Sequence, residues 1–573
     1  MTLKYSLLSG RSLSKKFLFF LLLITSFISI TANAQIENVP IDDPVYIFIK
    51  EMQVRGAIMN FDDGISGLSR FQVVNYLNEA KNSGIKLSVT EKSLIERYLV
   101  DFDPQRINKN TSFSLFGGNY EMSKSAGDIF SDKQKYLYAY RKGPNNLFIR
   151  GGGHLGYANR FKPDSKENAE IFDVGFDIRG TLFENLGYYF YVLKGGVSGD
   201  TTLAELMLPE LRSNFKYLEN IENIRNYDFA KGYLKYYFEP SEGMGISAQF
   251  GREKVKLGYG YSSSLVMSGN APDMDFLKLS FKYGIINYYS FFGSGVGPFS
   301  QVRTDNYTKY FTSNRLMLSF ENLFDIGIGE IIISSDRLEL AYLNPVIFYK
   351  FVEMSLQDRD NGTVYFDLQT HFLKDLEFQG TFYLDENILS NLDDMTKSSN
   401  KTAYQLGFYW YRPVSIENLS LIFEYTKIRP YVYTHFNPKN NYTSFGQIIG
   451  HPVGPNADQI YAAIAVNLSD RLRMNAEYQR IRRGENVYSA DGTLESNVGG
   501  DAFQTFRIGI DPEHSYFLDG IRINDNIYSV SLTYEPIRDF RFDLFYSYIN
   551  EENLTSGTKS DYSYAYGKLA IIF

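Results

Sequence analysis

Residues 563–573 read SYAYGKLAIIF, and the stretch alternates residue by residue. Ala565, Gly567, Leu569, Ile571 and Phe573 fall on one face; Tyr564, Tyr566, Lys568, Ala570 and Ile572 fall on the other. A period of two means a β-strand. Terminal residues usually fray into a polar tail. A strand that ends on an aromatic therefore needs a neighbour on each edge and an apolar surface for Phe573.

The same alternation recurs behind a repeated turn. It appears in FENLGYYFYV (183–192), FENLFDIGIG (320–329), LKDLEFQGTF (373–382), SIENLSLIFEY (415–425), LSDRLRMNAEY (468–478) and PIRDFRFDLFY (536–546). Each has an acidic or amide residue, then Leu or Phe, then a strand, and Asn and Asp close tight turns by bonding their own backbone. In 364–372, Val364, Phe366, Leu368 and Phe372 oppose Tyr365, Asp367, Gln369 and His371. In 378–385, Phe378, Phe382 and Leu384 oppose Gln379, Thr381, Tyr383 and Asp385. Residues 474–479 and 528–535 divide in the same way into a greasy and a polar face.

A soluble sandwich also alternates, but its connections need not. Here four-residue turns such as 241–244 and 470–473 take turns with long loops such as 201–226 and 436–458. Short turns at one end and long loops at the other are the pattern of an outer-membrane β-barrel. Composition agrees. There are 46 Phe and 46 Tyr against one Trp, a bias suited to pleated surfaces and membrane interfaces. The mean hydropathy of −0.26 does not oppose a barrel, because lipid-facing residues occupy only alternate positions. The expected fold is all-β and transmembrane: a large antiparallel barrel of about 18 strands, at most about 20, since such barrels take even numbers. The terminal strand then closes the barrel against the first, with Phe573 in the aromatic girdle. This terminus resembles the signal by which such proteins are recognised by the barrel-insertion machinery.

At the other end, Lys15 and Lys16 precede the apolar run 17–30 and the small-x-small site Ala32, Asn33 and Ala34. The run is too short for a membrane helix and reads as a cleaved export signal. The chain has no Cys, so it is neither lipid-anchored through Cys nor disulfide-stapled. Without the four basic residues of the signal, 54 Lys and Arg face 66 Asp and Glu, which argues against nucleic acid as a partner.

Residues 41–103 lack the alternation. Val45, Phe48, Ile49 and Met52 keep helical spacing up to Gly56. Ser69 starts a second helix through Val73, Val74, Leu77 and Ala80, and Ser88 with Glu91 makes a capping box for a third. The expected organisation is a signal peptide at 1–34, a periplasmic three-helix bundle at 35–108 and the outer-membrane barrel at 109–573.

Sites of chemistry are sparse. The five histidines, His154, His371, His435, His451 and His514, fall in neither H-E-x-x-H nor any other hydrolase signature, and no G-x-S-x-G occurs. GSGVG (293–297) lacks the Lys of a phosphate loop, and Asp358, Asp360 and Asn361 lack the spacing of a calcium loop. No catalytic residue, cofactor or metal is expected. Alternation instead sends Asp367, Gln369, His371, Gln379 and Asp385 into the lumen as a polar cluster.

Two stretches carry a resemblance. DDPVYIFIKEMQVRGAI (42–58), with LSRFQVVNYLNEA (68–80) and TEKSLIERYL (90–99), is similar to the N-terminal bundle of the Wzi-type capsule-assembly family. LNPVIFYKFVEMSLQDRDNGTVYFDLQTHFLKDLEFQGTFYLDE (343–386) resembles members of that family with an Asn-Pro, a Glu and a later Leu-Asp-Glu. The resemblance implies an 18-stranded barrel closed by its bundle and loops, embedded in outer-membrane lipid. It also implies a lectin-like, non-enzymatic role in binding or organising surface polysaccharide. The alternative is a porin-like channel whose polar strand faces line an open lumen. Tyr and Asn in the loops HFNPKNNYTSFGQIIGHPVGPNAD (435–458) and ENILSNLDDMTKSSNKTAY (386–404) have the composition that sugar binding needs.

Overall fold

The computed structural model describes residues 35–117, 122–163, 166–221, 224–385 and 394–573. The export signal read over 1–34, and positions 386–393 of the loop at 386–404, lie outside the described residues.

Among the described residues the wall is one closed antiparallel sheet. Its first strands are β1 (Asn145–Lys162), β2 (Asn168–Leu182), β3 (Leu186–Gly199), β4 (Ile224–Ser241), β5 (Met244–Glu253) and β6 (Met274–Tyr283). Then come β7 (Ile286–Val296), β8 (Thr308–Phe320), β9 (Phe324–Ser335), β10 (Asn361–Thr370), β11 (Leu376–Leu384) and β12 (Thr402–Tyr411). The last are β13 (Leu419–Ile428), β14 (Ala457–Asn467), β15 (Leu472–Glu485), β16 (Ile521–Ile537), β17 (Phe540–Asn553) and β18 (Thr558–Ile572). The closed order runs through twenty strands, but Tyr138–Lys142 and Phe215–Ile221 are short spurs. β18 pairs directly with β1 and β3 with β4, which leaves eighteen strands in the wall. The wall thus starts at Asn145; the short strands between residues 112 and 142 stand outside it.

The terminal strand does close the barrel: Ile572 lies opposite Gly152 and Tyr566 opposite Ala158, and Phe573 exchanges backbone hydrogen bonds with Gly151. The repeated turns all fall at this same end. Glu184, Asn322, Asp375, Asn418 and Asp539 have φ between +58° and +68°, the left-handed conformation that Asn and Asp tolerate best and that reverses the chain within a few residues.

Alternation becomes sidedness. In β10, Phe366 and Leu368 are 43% and 46% exposed on the outside, whereas Tyr365 and Gln369 are fully buried in the lumen. Outward Phe, Leu, Ile and Tyr form the lipid-facing belt, as on Phe378, Leu406, Ile464, Val530 and Leu544. No helix among the described residues is long and apolar enough to cross a membrane.

Among the described residues, three α-helices precede the wall: α1 (Val45–Val54), α2 (Arg70–Asn82) and α3 (Val89–Phe102). At the start of α3 the Ser88 hydroxyl accepts from Glu91 N–H while the Glu91 carboxylate accepts from Ser88 N–H. At the start of α2, Gln72 likewise accepts from Ser69 N–H. Val45, Ile49, Met52, Val73, Leu77 and Leu99 are fully buried together, against Tyr409 and Tyr411 of β12. The helices therefore sit inside the short-turn mouth. Two further helices lie in the loops of the opposite end, α4 (Thr201–Met207) and α5 (Tyr349–Ser355).

Candidate functional site

Inward positions near the short turns meet the helical segment through charges. Lys50 of α1 lies 2.8 Å from Asp63 and 2.6 Å from Glu377 of β11. Glu51 is held by Arg473 of β15 at 2.8 Å and by Asn467 of β14. Arg55 pairs with Glu91 at 3.0 Å, and Glu91 in turn accepts from the Tyr411 hydroxyl. Asp62 pairs with Arg315 of β8 at 2.6 Å. Buried ions of this kind are tolerated only when paired.

The expected lumen cluster divides between two tasks. Asp367 receives Arg315 at 3.0 Å and the Thr381 hydroxyl, Gln369 donates to Asp63, and His371 lies 2.8 Å from Asp325 and 3.9 Å from Glu377. Gln379 is buried directly across the ladder from Gln369. Gln369 thus bonds the plug segment directly, while Asp367 reaches it through Arg315 and His371 through Glu377. Asp385 stands apart at the long-loop end, where it accepts from Tyr433 N–H.

That outer end is filled by loops turned inward, which alternation gave no means to see. Loop 254–273 descends through the lumen until Gly258 N–H bonds Gly64 of the plug segment at 2.8 Å. On the way, Glu424 of β13 accepts from the N–H groups of Tyr261 and Ser262, and the Tyr261 hydroxyl donates to Glu377. Leu257, Leu265, Val266 and Met267 of this loop join Val432, Tyr433, Tyr442 and Ile449 of loop 429–456. Together they pack on inward Phe276, Tyr289, Phe291, Phe311, Tyr365 and Tyr383 of the wall. Positive φ at Gly258 and Gly260 breaks any strand in LGYGYSSS and lets the loop turn inward.

Over β1–β3 the lid is α4. Leu203, Ala204, Met207 and Leu211 pack on Ile171, Val197 and Tyr227. A side chain at Gly156 would meet the Met207 sulfur at 2.6 Å and Ile171 at 2.7 Å, so it would push these side chains of the lid and wall aside. Below α4, the His154 ring bonds Asp173 at 2.7 Å and Asp173 accepts from the Tyr227 hydroxyl. Cavities of about 270, 420 and 480 Å³ remain in the lumen, the first against β1–β5, the second against β14–β18 and β1 and the third against β12–β16, and all three touch Asp42.

The structure corrects the reading of loop 435–458. Its Asn440, Asn441, Tyr442, Thr443 and His451 are buried and hold the loop down, for example through Lys309 Nζ to the Asn441 carbonyl at 2.6 Å. Burial pushes the His451 imidazole down to about 3; burial and the nearby Lys401 push His435 down to about 4. Exposed aromatics at the outer end include Phe436 near the start of that loop, and Tyr488, Phe503 and Tyr516 on loop 486–520. Among the described residues, no group of three or more His, Asp or Glu is placed to hold a metal.

These features define the class: an outer-membrane-type β-barrel of eighteen strands, with a helical plug at one end and infolded loops at the other. The family model described as capsule assembly protein Wzi matches residues 193–513, and the chain belongs to that family. Among solved structures it is similar to Wzi of Escherichia coli, an outer membrane protein described as involved in group 1 capsule assembly and as a carbohydrate-binding β-barrel. That likeness has 12% identity and a TM-score of 0.55, and covers 93% of this chain and 99% of the other. Pseudomonas aeruginosa OprD aligns at 11% identity and a TM-score of 0.40, over 74% of this chain and 95% of that one. OccK1 (OpdK) of the same organism aligns at 9% and 0.41, over 74% and 98%. No curated protein matches the chain.

Proposed function

We propose that this protein binds and organises surface polysaccharide at the outer membrane, without catalysing a reaction. In this reading residues 1–34 are a cleaved export signal and residues 35–108 face the periplasm. Residues 109–573 are delivered to the membrane by the barrel-insertion machinery and stand among outer-membrane lipids. The long-loop end faces the medium.

The observation that carries the reading is where the buried side chains go. Gln369 bonds Asp63 of the plug segment, Asp367 is held by Arg315, which also pairs with Asp62, and His371 is held by Asp325, so these side chains are engaged within the protein; along β6–β13 the outer half of the lumen is packed with Tyr, Phe and Ile. A transporter needs a wet, continuous path. A binding protein needs only an exposed surface, and sugar rings stack on aromatic faces while carboxylates and amides bond their hydroxyls. Loop 486–520 offers Tyr488, Phe503 and Tyr516 beside Asp501 and Asp519. The test is binding of the purified full-length protein to immobilised capsular polysaccharide from its own cells. Wild-type protein is retained; replacing Tyr488, Phe503 and Tyr516 together by Ala weakens retention by an order of magnitude, at about 1 kcal/mol or less per ring. Equal retention by the triple variant moves the site elsewhere, and no retention of the wild type removes the proposal.

A further inference from the structure

The loop between β9 and β10 does not stay at the rim. It folds back over the outside of the barrel, onto a patch where the wall breaks its own rule. Outward positions on β8 and β9 run apolar from the short-turn end: Leu316 and Leu318, and Ile326 and Ile328. The next outward pair is Asn314 and Glu330, opposite each other in the ladder. Ile331 and Ile333 belong to the lumen cluster, so Glu330 faces out. A bare carboxylate and amide on a lipid-facing surface cost several kcal/mol.

Residues 340–356 cover them. The Glu330 carboxylate accepts from Tyr349 N–H at 2.6 Å and Lys350 N–H at 3.0 Å, the first residues of α5. The Asn314 amide donates to the Ile347 carbonyl at 2.8 Å, and the Tyr288 hydroxyl donates to the Pro345 carbonyl. Tyr342 and Tyr349 pack on Ile332 of the wall. The charges of α5 are turned inward: Lys350 pairs with Glu353 at 2.6 Å, and Glu353 is buried. Apart from Asn344 and Ser355, what the segment shows to the outside is apolar. Leu340 is 72% exposed, Val346 84% and Phe351 71%, joined by Leu343, Phe348 and Met354. Between it and the wall lies a groove of about 380 Å³, lined by Leu316, Ile328, Val346 and Phe348.

We infer that residues 340–356 form a strap lying in the acyl layer of the outer leaflet, with a lipid acyl chain seated in the groove beneath Val346 and Phe348. The apolar side chains of the strap continue the lipid-facing belt where Asn314 and Glu330 interrupt it, and this continuity names the occupant. A short helix with its charges tucked against protein and its apolar face outward is suited to lying within a leaflet rather than crossing it. The strap reading rests on the barrel spanning the membrane, so its test carries a control for that.

The chain has one Trp, Trp410, which allows a clean probe. In a Trp410→Phe background, Phe351→Trp is placed on the strap, Leu544→Trp on the belt of β17 and Phe503→Trp on an outer loop. Each full-length protein is reconstituted into phosphatidylcholine vesicles with brominated acyl chains, and quenching is compared with that by aqueous acrylamide. The strap and belt probes are expected to lose most of their emission to the brominated chains and little to acrylamide; the loop probe does the reverse. Adding Glu330→Ala to the strap probe is expected to raise its acrylamide quenching as the clamp is lost. Acrylamide quenching of the strap probe beside a lipid-quenched belt probe overturns the strap while leaving the barrel intact. Protection from both quenchers overturns it too, in favour of a protein partner or a second copy. A belt probe open to acrylamide removes the membrane placement itself.

Discussion

At the short-turn end of the lumen, Lys50, Glu51, Arg55 and Asp62 of the plug segment meet Glu377, Arg473, Tyr411 and Arg315 of the wall and Glu91 of α3. At the long-loop end, Val266, Tyr433, Tyr442 and Ile449 meet Phe276, Phe291, Tyr365 and Tyr383. One closure is a separate helical unit locked by buried ion pairs; the other is the wall's own loops condensed into an apolar core. The two respond to different perturbations. Ion pairs removed from water lose much when one partner is deleted, because the other charge is left stranded. Apolar packing loses in proportion to the volume and hydrogen bonds removed.

The largest single-residue effect is expected at the ionic end. Lys50→Met keeps the bulk of the side chain but leaves Asp63 and Glu377 facing each other unneutralised. A loss of about 3–5 kcal/mol in plug docking is expected, read as a lower urea midpoint for protease protection of residues 41–103. An unchanged midpoint would mean that the ion pair is incidental and that apolar packing alone seats the plug. At the apolar end, Tyr433→Phe removes a hydroxyl that donates to the Leu265 carbonyl and accepts from His451 N–H. About 1–3 kcal/mol is expected from these stranded groups, confined to protection of loops 254–273 and 429–456. Loosening of the plug in this variant would show that the two closures are one cooperative unit.

Acid sharpens the contrast. His435 and His451 are buried neutral with folded values near 4 and 3, below the usual 6.5. Their contribution is therefore fully present above pH 6.5 and is lost as pH falls from there toward 4 and 3. The expected loss in the outer lid is about 1.4 kcal/mol per pH unit for each histidine. Hydrogen exchange of loop 429–456 at pH 7 and pH 5 checks the sign: faster opening at pH 5 after correction for intrinsic rates. His451→Gln and His435→Gln together should flatten the dependence.

Legibility in the sequence follows the same divide. Strand faces in 364–385 and 474–479, the short turns and the capping box at Ser88 were readable because each is local: period two, an Asx turn, a side chain three residues away. The plug's seat was half legible. Asp367, Gln369, His371 and Gln379 could be sent inward by parity, but Asp63, which Gln369 bonds, and Asp62 and Lys50, which meet Arg315 and Glu377 beside them, lie some three hundred residues earlier in the chain. The infolding of loop 254–273 was not legible, since its contacts with Gly64, Glu377 and Glu424 are all non-local. Loop 435–458 misled because Tyr and Asn that suit a sugar surface also suit a buried loop needing rings and backbone partners. Most of the strap lay within the stretch 343–386 that carried the family resemblance, yet its role needed Glu330 to be seen facing outward.

The central claim is that both ends of the lumen are closed and that this barrel binds rather than conducts. Planar-bilayer conductance tests it most directly. The intact protein is expected to give little or no steady current, and the same barrel lacking residues 41–103 a clear increase wherever the outer loops breathe. Large, steady, cation-selective channels from the intact chain would contradict the account and make the protein a porin.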